Sequence, residues 1–320
     1  MIGLTRLLTV AVIVALSAPS HAAQYPTRPV RFVIAFPAGG PTDAAGRIIG
    51  KALSEALGQG VVIDNRPGAD GAIGPERVAK APPDGHTLLL GTSSSMAAVP
   101  AMRKKPPYDP VADFTPITFV GWLSLLLVVN PTVPAKTVAE LIEYARGNPG
   151  KLIVAAANPP SIFAMAQLKS LAKVELLNVT YKGDVAAMPD LLSARVHVLA
   201  AGTNLVLPYV KEGKLRALAT LSASRTRPAP DVPTMAEAGV PRFSVYPWVG
   251  LFGPARLPKE IVDRLSSEVN IVLKRPDLRE QFDRIGFDGE GSTPQKLAAF
   301  VKEQKAVWAA VAREAGIEPQ

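Results

Sequence analysis

Two short runs of this sequence combine residue types that could hold a ligand. Ala38-Gly39-Gly40, continued by Pro41, Thr42 and Asp43, stands between an apolar run and an amphipathic one. Glycine lets the backbone come close to a bound group. A helix start offers unpaired N–H groups and a partial positive charge, which suits an anion. The same run also reads as an ordinary tight strand-to-helix turn. Thr92-Ser93-Ser94-Ser95 follows the apolar Leu88-Leu89-Leu90. Hydroxyls at the carboxyl end of a strand fall where α/β sheets take their ligands, although a flexible polar loop would have the same composition. Neither run is a nucleotide signature: there is no G-x-G-x-x-G, and no Gly-Lys-Ser/Thr follows the glycine loop.

Catalysis finds few candidates. The chain has three histidines and no cysteine. That excludes disulfides, thiolate metal sites and a cysteine nucleophile. His21 lies in the leader described below, His86 in the turn Pro83-Asp84-Gly85-His86, and His197 in an apolar strand pattern that reads as packed core. There is no G-x-S-x-G elbow, so a secreted hydrolase would need Ser94 or Ser95 to reach one of these histidines. Two isolated histidines make no regular zinc set. The expectation is a protein that is not an enzyme and needs no metal or cofactor.

The elements that must position these runs alternate. Val30 to Ala35 reads as a strand, and Thr42 as the N-cap of a helix with apolar residues at Ala45, Ile48, Ile49, Ala52, Leu53, Ala56 and Leu57. Gly58 is a C-cap, and Val61 to Ile63 is the next strand. Further strands are expected at Thr87 to Leu90, Ile117 to Val129, Leu152 to Ala156, Leu176 to Tyr181 and Val196 to Ala200. Helices are expected at Glu76 to Ala81, from the capping box Thr137-Val138-Ala139-Glu140 to Gly147, at Ser161 to Leu171 with Ser161 as cap, at Lys259 to Lys274 and at Pro294 to Ala312. Alternation of this kind means α/β layers with mainly parallel sheets. No internal repeat is visible.

At 320 residues the chain is long enough for two lobes. Phe119 to Asn130 and Ser244 to Pro254, with Gly121-Trp122 and Trp248-Val249-Gly250 inside apolar runs, read as crossovers. They divide the chain into a discontinuous first lobe, 23–122 and 247–320, and a second lobe, 123–246, as in binding proteins that close about hinges. Residues 1–22 read as a signal peptide, with Arg6, the apolar run Leu7 to Leu16 and Ser20-His21-Ala22 before the cut. The apolar run is too short to span roughly 30 Å of hydrocarbon. The expected location is the periplasm. The formal charge of +8 has no dense basic tract behind it. It suits a small anionic solute and not nucleic acid.

Taken in order, several segments resemble the extracytoplasmic solute receptors of the tripartite tricarboxylate transporter family, the Bordetella uptake gene type. They are Phe36-Pro37-Ala38-Gly39-Gly40-Pro41-Thr42-Asp43, Asn65-Arg66-Pro67-Gly68-Ala69-Asp70-Gly71-Ala72-Ile73-Gly74, Pro82-Pro83-Asp84-Gly85-His86, Tyr108-Asp109-Pro110, Tyr181-Lys182-Gly183, Gly213-Lys214-Leu215-Arg216-Ala217-Leu218 and Val232-Pro233-Thr234-Met235. The resemblance implies a two-lobed periplasmic binding protein, a type II-like Venus flytrap. It implies a monomer that captures a small organic carboxylate and passes it to the membrane permease subunits of the transporter. A ligand-sensing accessory that presents the same solute to a signalling receptor has the same fold. By the resemblance, Ala38, Gly39, Gly40 and Asp43 hold a ligand carboxylate and Thr92 and Ser93 add hydroxyl contacts. Asn158, Ser161, Ile162 and Phe163, with Tyr181, Lys182 and Gly183, complete the second lobe.

The second lobe is where the sequence departs. Phe163 stands where the family commonly has His, Gln167 where Glu is usual, and Ala201 and His197 at positions where Asp is frequent. Loss of the carboxylate at Ala201 argues against an amino-acid ligand. Ile162, Phe163 and Ala201 point to a ligand, aromatic or aliphatic, whose far end is less polar than citrate; the alternative is that Phe163 packs in the core and the ligand class is unchanged. Pro189 places the start of its helix later than in the family.

Overall fold

The computed structural model describes residues 25–319, so the expected signal peptide, residues 1–22, lies outside the described residues. The chain opens with β1 (Val30–Ile34), α1 (Pro41–Leu57), β2 (Val61–Asn65), α2 (Ile73–Ala79) and β3 (Thr87–Thr92), and after the short turn α3 (Val99–Ala101) reaches β4 (Phe114–Leu123). Then come β5 (Leu125–Val129), α4 (Val138–Gly147), β6 (Ile153–Ala156), α5 (Pro159–Ala172), β7 (Leu177–Thr180), α6 (Asp184–Leu192), β8 (Val198–Gly202), α7 (Thr203–Lys211) and β9 (Arg216–Thr220). The chain ends with β10 (Trp248–Pro254), α8 (Lys259–Leu273), α9 (Pro276–Arg284), β11 (Phe287–Gly289) and α10 (Pro294–Glu314).

Two sheets form, in the orders β11-β4-β10-β3-β1-β2 and β7-β6-β8-β5-β9. The α/β two-lobed architecture is the expected one, but each sheet is mixed. β1 runs parallel to β2 and β3, and β6 to β7 and β8, because helices connect them. β10 and β5 run antiparallel to their neighbours because each enters from the other lobe. The sheet changes at Ser124, between β4 and β5, and changes back between Thr220 and Trp248.

The local rules that build α1 are plain. Ala45, Ile49, Ala52, Leu53 and Leu57 are buried on one face, and Gly58 ends the helix at φ 66°. Gly46 and Gly50 let it lie close on the sheet: a Cβ on Gly46 would stand 2.6 Å from Ile34 Cδ1. The N-cap is Gly40, not Thr42, because Pro41 takes the first helical position with its fixed φ. α5 likewise starts before Ser161. Asn158 caps it and Pro159 and Pro160 fill its first two positions. α6 begins at Asp184 in spite of Pro189, which removes a single intrahelical bond from a nine-residue helix.

The lobes touch at several places, among them Arg227 of the second lobe against Asp283 and Asp288 of the first, both at 3.1 Å. Ser124 Oγ and Thr203 Oγ1 lie 2.6 Å apart, while the Ser124 amide donates to the Gly286 carbonyl at 2.7 Å. Within the second lobe, just before the chain returns to the first, Gln167 donates to Ser244 Oγ at 2.9 Å and accepts the Ser244 amide at 3.0 Å, using both ends of an amide where a carboxylate could only accept. A further junction between the lobes is α10. Its Phe300 packs on Phe119 and Trp248 in the first lobe, its Trp308 packs on Phe163, and the Glu314 carbonyl accepts from Ser170 Oγ in α5.

Candidate functional site

The carboxyl ends of β1, β2 and β3 carry the glycine loop, Asn65 and the hydroxyl run, and those of β6, β7 and β8 carry the starts of α5, α6 and α7. The two edges meet. A Cβ on Gly202, at the end of β8, would stand 3.4 Å from the Pro41 ring at the start of α1.

On the first lobe, Gly40 caps α1 without a side chain and Pro41 has no N–H, so the amides of Thr42 and Asp43 begin the helix without an intrahelical acceptor. Ala38 and Gly39 are exposed and Gly40 is half-buried, whereas Thr42 and Asp43 are buried. Asp43 organises the loop from within. One carboxylate oxygen accepts the Gly39 amide and Arg47 Nε, both at 2.9 Å, and the other accepts Asn65 Nδ2 at 3.0 Å. Asn65 also donates to the Phe36 carbonyl at 3.0 Å. Burial alone would raise the Asp43 pKa. The hydrogen bonds from Arg47, Gly39 and Asn65 outweigh it and hold the carboxyl below its ordinary range. Asp43 therefore shapes the loop, and the Gly39 amide is occupied by it. Sequence reading did not single out Asn65 or Arg47 as site residues, though Asn65 ends β2 at the same sheet edge as the glycine loop.

The hydroxyl run is also tied internally. The Thr92 amide donates to Ser95 Oγ at 3.0 Å, Ser95 Oγ donates back to the Thr92 carbonyl at 3.2 Å, and Ser93 Oγ accepts the Trp248 amide at 3.4 Å. Thr92 and Ser93 are buried. His86 precedes β3 and Ser94 follows it, so a six-residue strand of roughly 20 Å separates them. His197 precedes β8, and its Nδ1 accepts the Ile153 amide at 3.0 Å. Both histidines sit at amino ends of strands, away from Ser94 and Ser95.

On the second lobe the start of α5 has no amide to offer. Pro159 and Pro160 lack N–H groups, the Ser161 amide donates to Asn158 Oδ1 at 2.8 Å, and the Ile162 amide donates to the Asn158 carbonyl at 2.9 Å. Ser161 Oγ donates to the Ala155 carbonyl at 3.2 Å. Phe163 is fully buried against Trp308, so its ring belongs to the core, while Ile162 is half-buried. Tyr181 is half-buried and its hydroxyl donates to Asp190 at 2.7 Å; Lys182 is exposed and Gly183 half-buried. Ala201 is fully buried in β8.

Asp184, which sequence reading passed over, occupies the middle of this edge. Its carboxylate accepts from Asn158 Nδ2 and, at 3.2 Å, from the Gly202 amide. The residue as a whole is half-buried. Desolvation raises its pKa to about 6, even though both hydrogen bonds pull the other way. Thus a carboxylate stands beside Ala201 after all, supplied by α6 and not by β8.

Comparison with known proteins places this arrangement. The family described as tripartite tricarboxylate transporter family receptor matches residues 45–317. The solved periplasmic binding protein BugD is 35% identical, with a TM-score of 0.81, over 92% of this chain and 100% of its own. A Rhodopseudomonas palustris protein, Rpa4515, solved with adipate, is 36% identical with a TM-score of 0.84, over 92% of this chain and 100% of its own. MatC from the same organism, solved with bound malate, is 33% identical with a TM-score of 0.78, over 90% of this chain and 99% of its own.

Proposed function

The chain belongs to the tripartite tricarboxylate transporter receptor family, and from that premise we propose that it is a periplasmic receptor for a small organic carboxylate, aliphatic or aromatic, with one or two carboxyl groups. Closure of the lobes over the solute makes the surface that the permease subunits of a tripartite tricarboxylate-type transporter engage. One observation carries the reading. The start of α1 leaves the amides of Thr42 and Asp43 without a cap, beside Gly40, and directly opposite the strand ends of the second lobe. A carboxylate docked there gains N–H donors and the positive end of a helix. The adipate and malate found in the two relatives support this class of ligand.

The mechanism is capture without reaction. A carboxylate enters from solvent along the exposed Ala38-Gly39 rim and binds at the α1 start, which Asp43, Asn65 and Arg47 hold in shape. The second lobe then turns about Ser124. Closure is favoured only by contacts that the closed form alone makes.

The test is calorimetry and thermal unfolding with a panel of aliphatic and aromatic carboxylates. A ligand at about 100 times its Kd stabilises the protein by roughly 2.7 kcal/mol. No heat and no thermal shift across the panel would overturn the reading. Cell fractionation, with a mature N-terminus at Ala23, tests the location, and co-purification with permease subunits tests the partner.

A further inference from the structure

The two walls of the cleft differ in chemistry. The α1 side presents amides, the start of a helix and no side-chain cap. On the facing side, the start of α5 is closed to anions: two prolines lack N–H groups and Asn158 takes the next amide. In their place stands the Asp184 carboxylate, fixed by Asn158 and by the Gly202 amide. Gly202 is also the residue that approaches Pro41 of the opposite lobe.

Two hydrogen bonds leave Asp184 with unused acceptor capacity, because a carboxylate has about four lone-pair sites. Among the described residues it forms no ion pair, and its contacts are an amide side chain and a backbone amide, neither of which titrates. Pro41 brings no charge from the opposite lobe. The ionised pair on α1, Asp43 with Arg47, is already closed on itself. At Asp184 the wall facing the carboxylate dock thus presents an acceptor without an ion-pair partner among the described residues, the exposed Lys182 included. A second anionic group placed against it meets like charge in a poorly solvated setting, whereas a hydroxyl or ammonium group finds a fixed, charged partner.

We propose that Asp184 is a specificity-determining residue of this cleft, selecting a carboxylate whose other end carries a hydrogen-bond donor, a hydroxyl or an ammonium, over a plain dicarboxylate. The assignment rests on the reading of the cleft as a carboxylate receptor and narrows it.

The test uses chains of four and six carbons that share one carboxylate and differ only at the far end. The probes are 4-hydroxybutyrate, 4-aminobutyrate and succinate, then 6-hydroxyhexanoate, 6-aminohexanoate and adipate. They are titrated calorimetrically at pH 8 into the wild-type protein and into Asp184→Asn, with Asp184→Ser as a second variant should the first fold poorly. The expected result is at least tenfold tighter binding of a donor-ended acid than of the dicarboxylate of its length, and loss of that preference in the variants. The hydroxy and amino arms show which donor is taken. Dicarboxylates that bind as tightly as donor-ended acids, or a ranking that survives removal of Asp184, overturn the proposal and leave the carboxylate receptor standing. Failure of every carboxylate to bind removes the receptor reading, and the proposal with it.

Discussion

The rings of Phe163 and Trp308 lie with centroids 4.9 Å apart and planes inclined at 44°, which ties the first turns of α5 to the C-terminal helix. The contact removes Phe163 from the ligand's reach and assigns it to packing. Phe163→Leu is therefore expected to cost roughly 1–2 kcal/mol of stability in urea unfolding. The order of carboxylate affinities should be the same as in the wild type. A reordered ranking would show that the ring shapes the pocket.

Gly40→Asp should separate binding from folding. Gly40 has extended backbone, φ −74° and ψ 168°, and an added Cβ would approach only the Pro37 carbonyl, at 3.6 Å. An aspartate there caps the Thr42 or Asp43 amide with its own carboxylate. The melting temperature should hold or rise, while affinity falls at least 100-fold by calorimetry. Unchanged affinity would move the dock away from α1. Gly39→Asp is the poorer experiment, since Gly39 sits at φ +85°, where any side chain is strained.

Asp43 gives the loop an acid limit. Its folded pKa lies below the ordinary value, so its contribution is present above about pH 4 and is lost as pH falls through the folded value. Asp43→Asn keeps the shape and removes the charge. It should cost about 1–3 kcal/mol at neutral pH, and the gap from wild type should narrow at pH 3 in denaturant titrations. A gap independent of pH would mean that the carboxylate charge is unimportant.

Asp184 has the opposite sign. Its folded pKa is raised to about 6, so its stabilising contribution is complete below the unfolded value and is lost as pH rises through about 6. Asp184→Asn cannot titrate. Its stability relative to wild type should increase from pH 5 to pH 8. Parallel pH profiles for the two proteins would contradict the assigned burial of the carboxyl.

Much of this was legible in the chain. Val30 to Ile34, the glycine loop and the periodic helix after it follow from local rules, as does the Thr137 cap, whose side chain accepts the Glu140 amide at 3.1 Å. The α5 start was legible in principle, because Pro159-Pro160 announces missing N–H groups, yet Ser161, two residues inside the helix, reads as a cap until Asn158 is considered. What lay beyond local reading were contacts between distant segments. The burial of Phe163 depends on Trp308, and the position of Asp184 on the Gly202 amide. No periodicity encodes either pairing.

Gly121 marks another long-range constraint. A Cβ there would stand 2.2 Å from the Asp288 carbonyl, where β4 meets β11. Gly121→Ala should cost more than about 2 kcal/mol through displaced backbone. Wild-type stability in thermal unfolding would deny that close approach.

A helix of 21 residues is fastened to both halves, through Phe300 on Phe119 and Trp248 and through Trp308 on Phe163. Movement of one half against the other loads these contacts, and the Trp308 indole, packed at a tilt on the Phe163 ring, stands where its emission can report that movement.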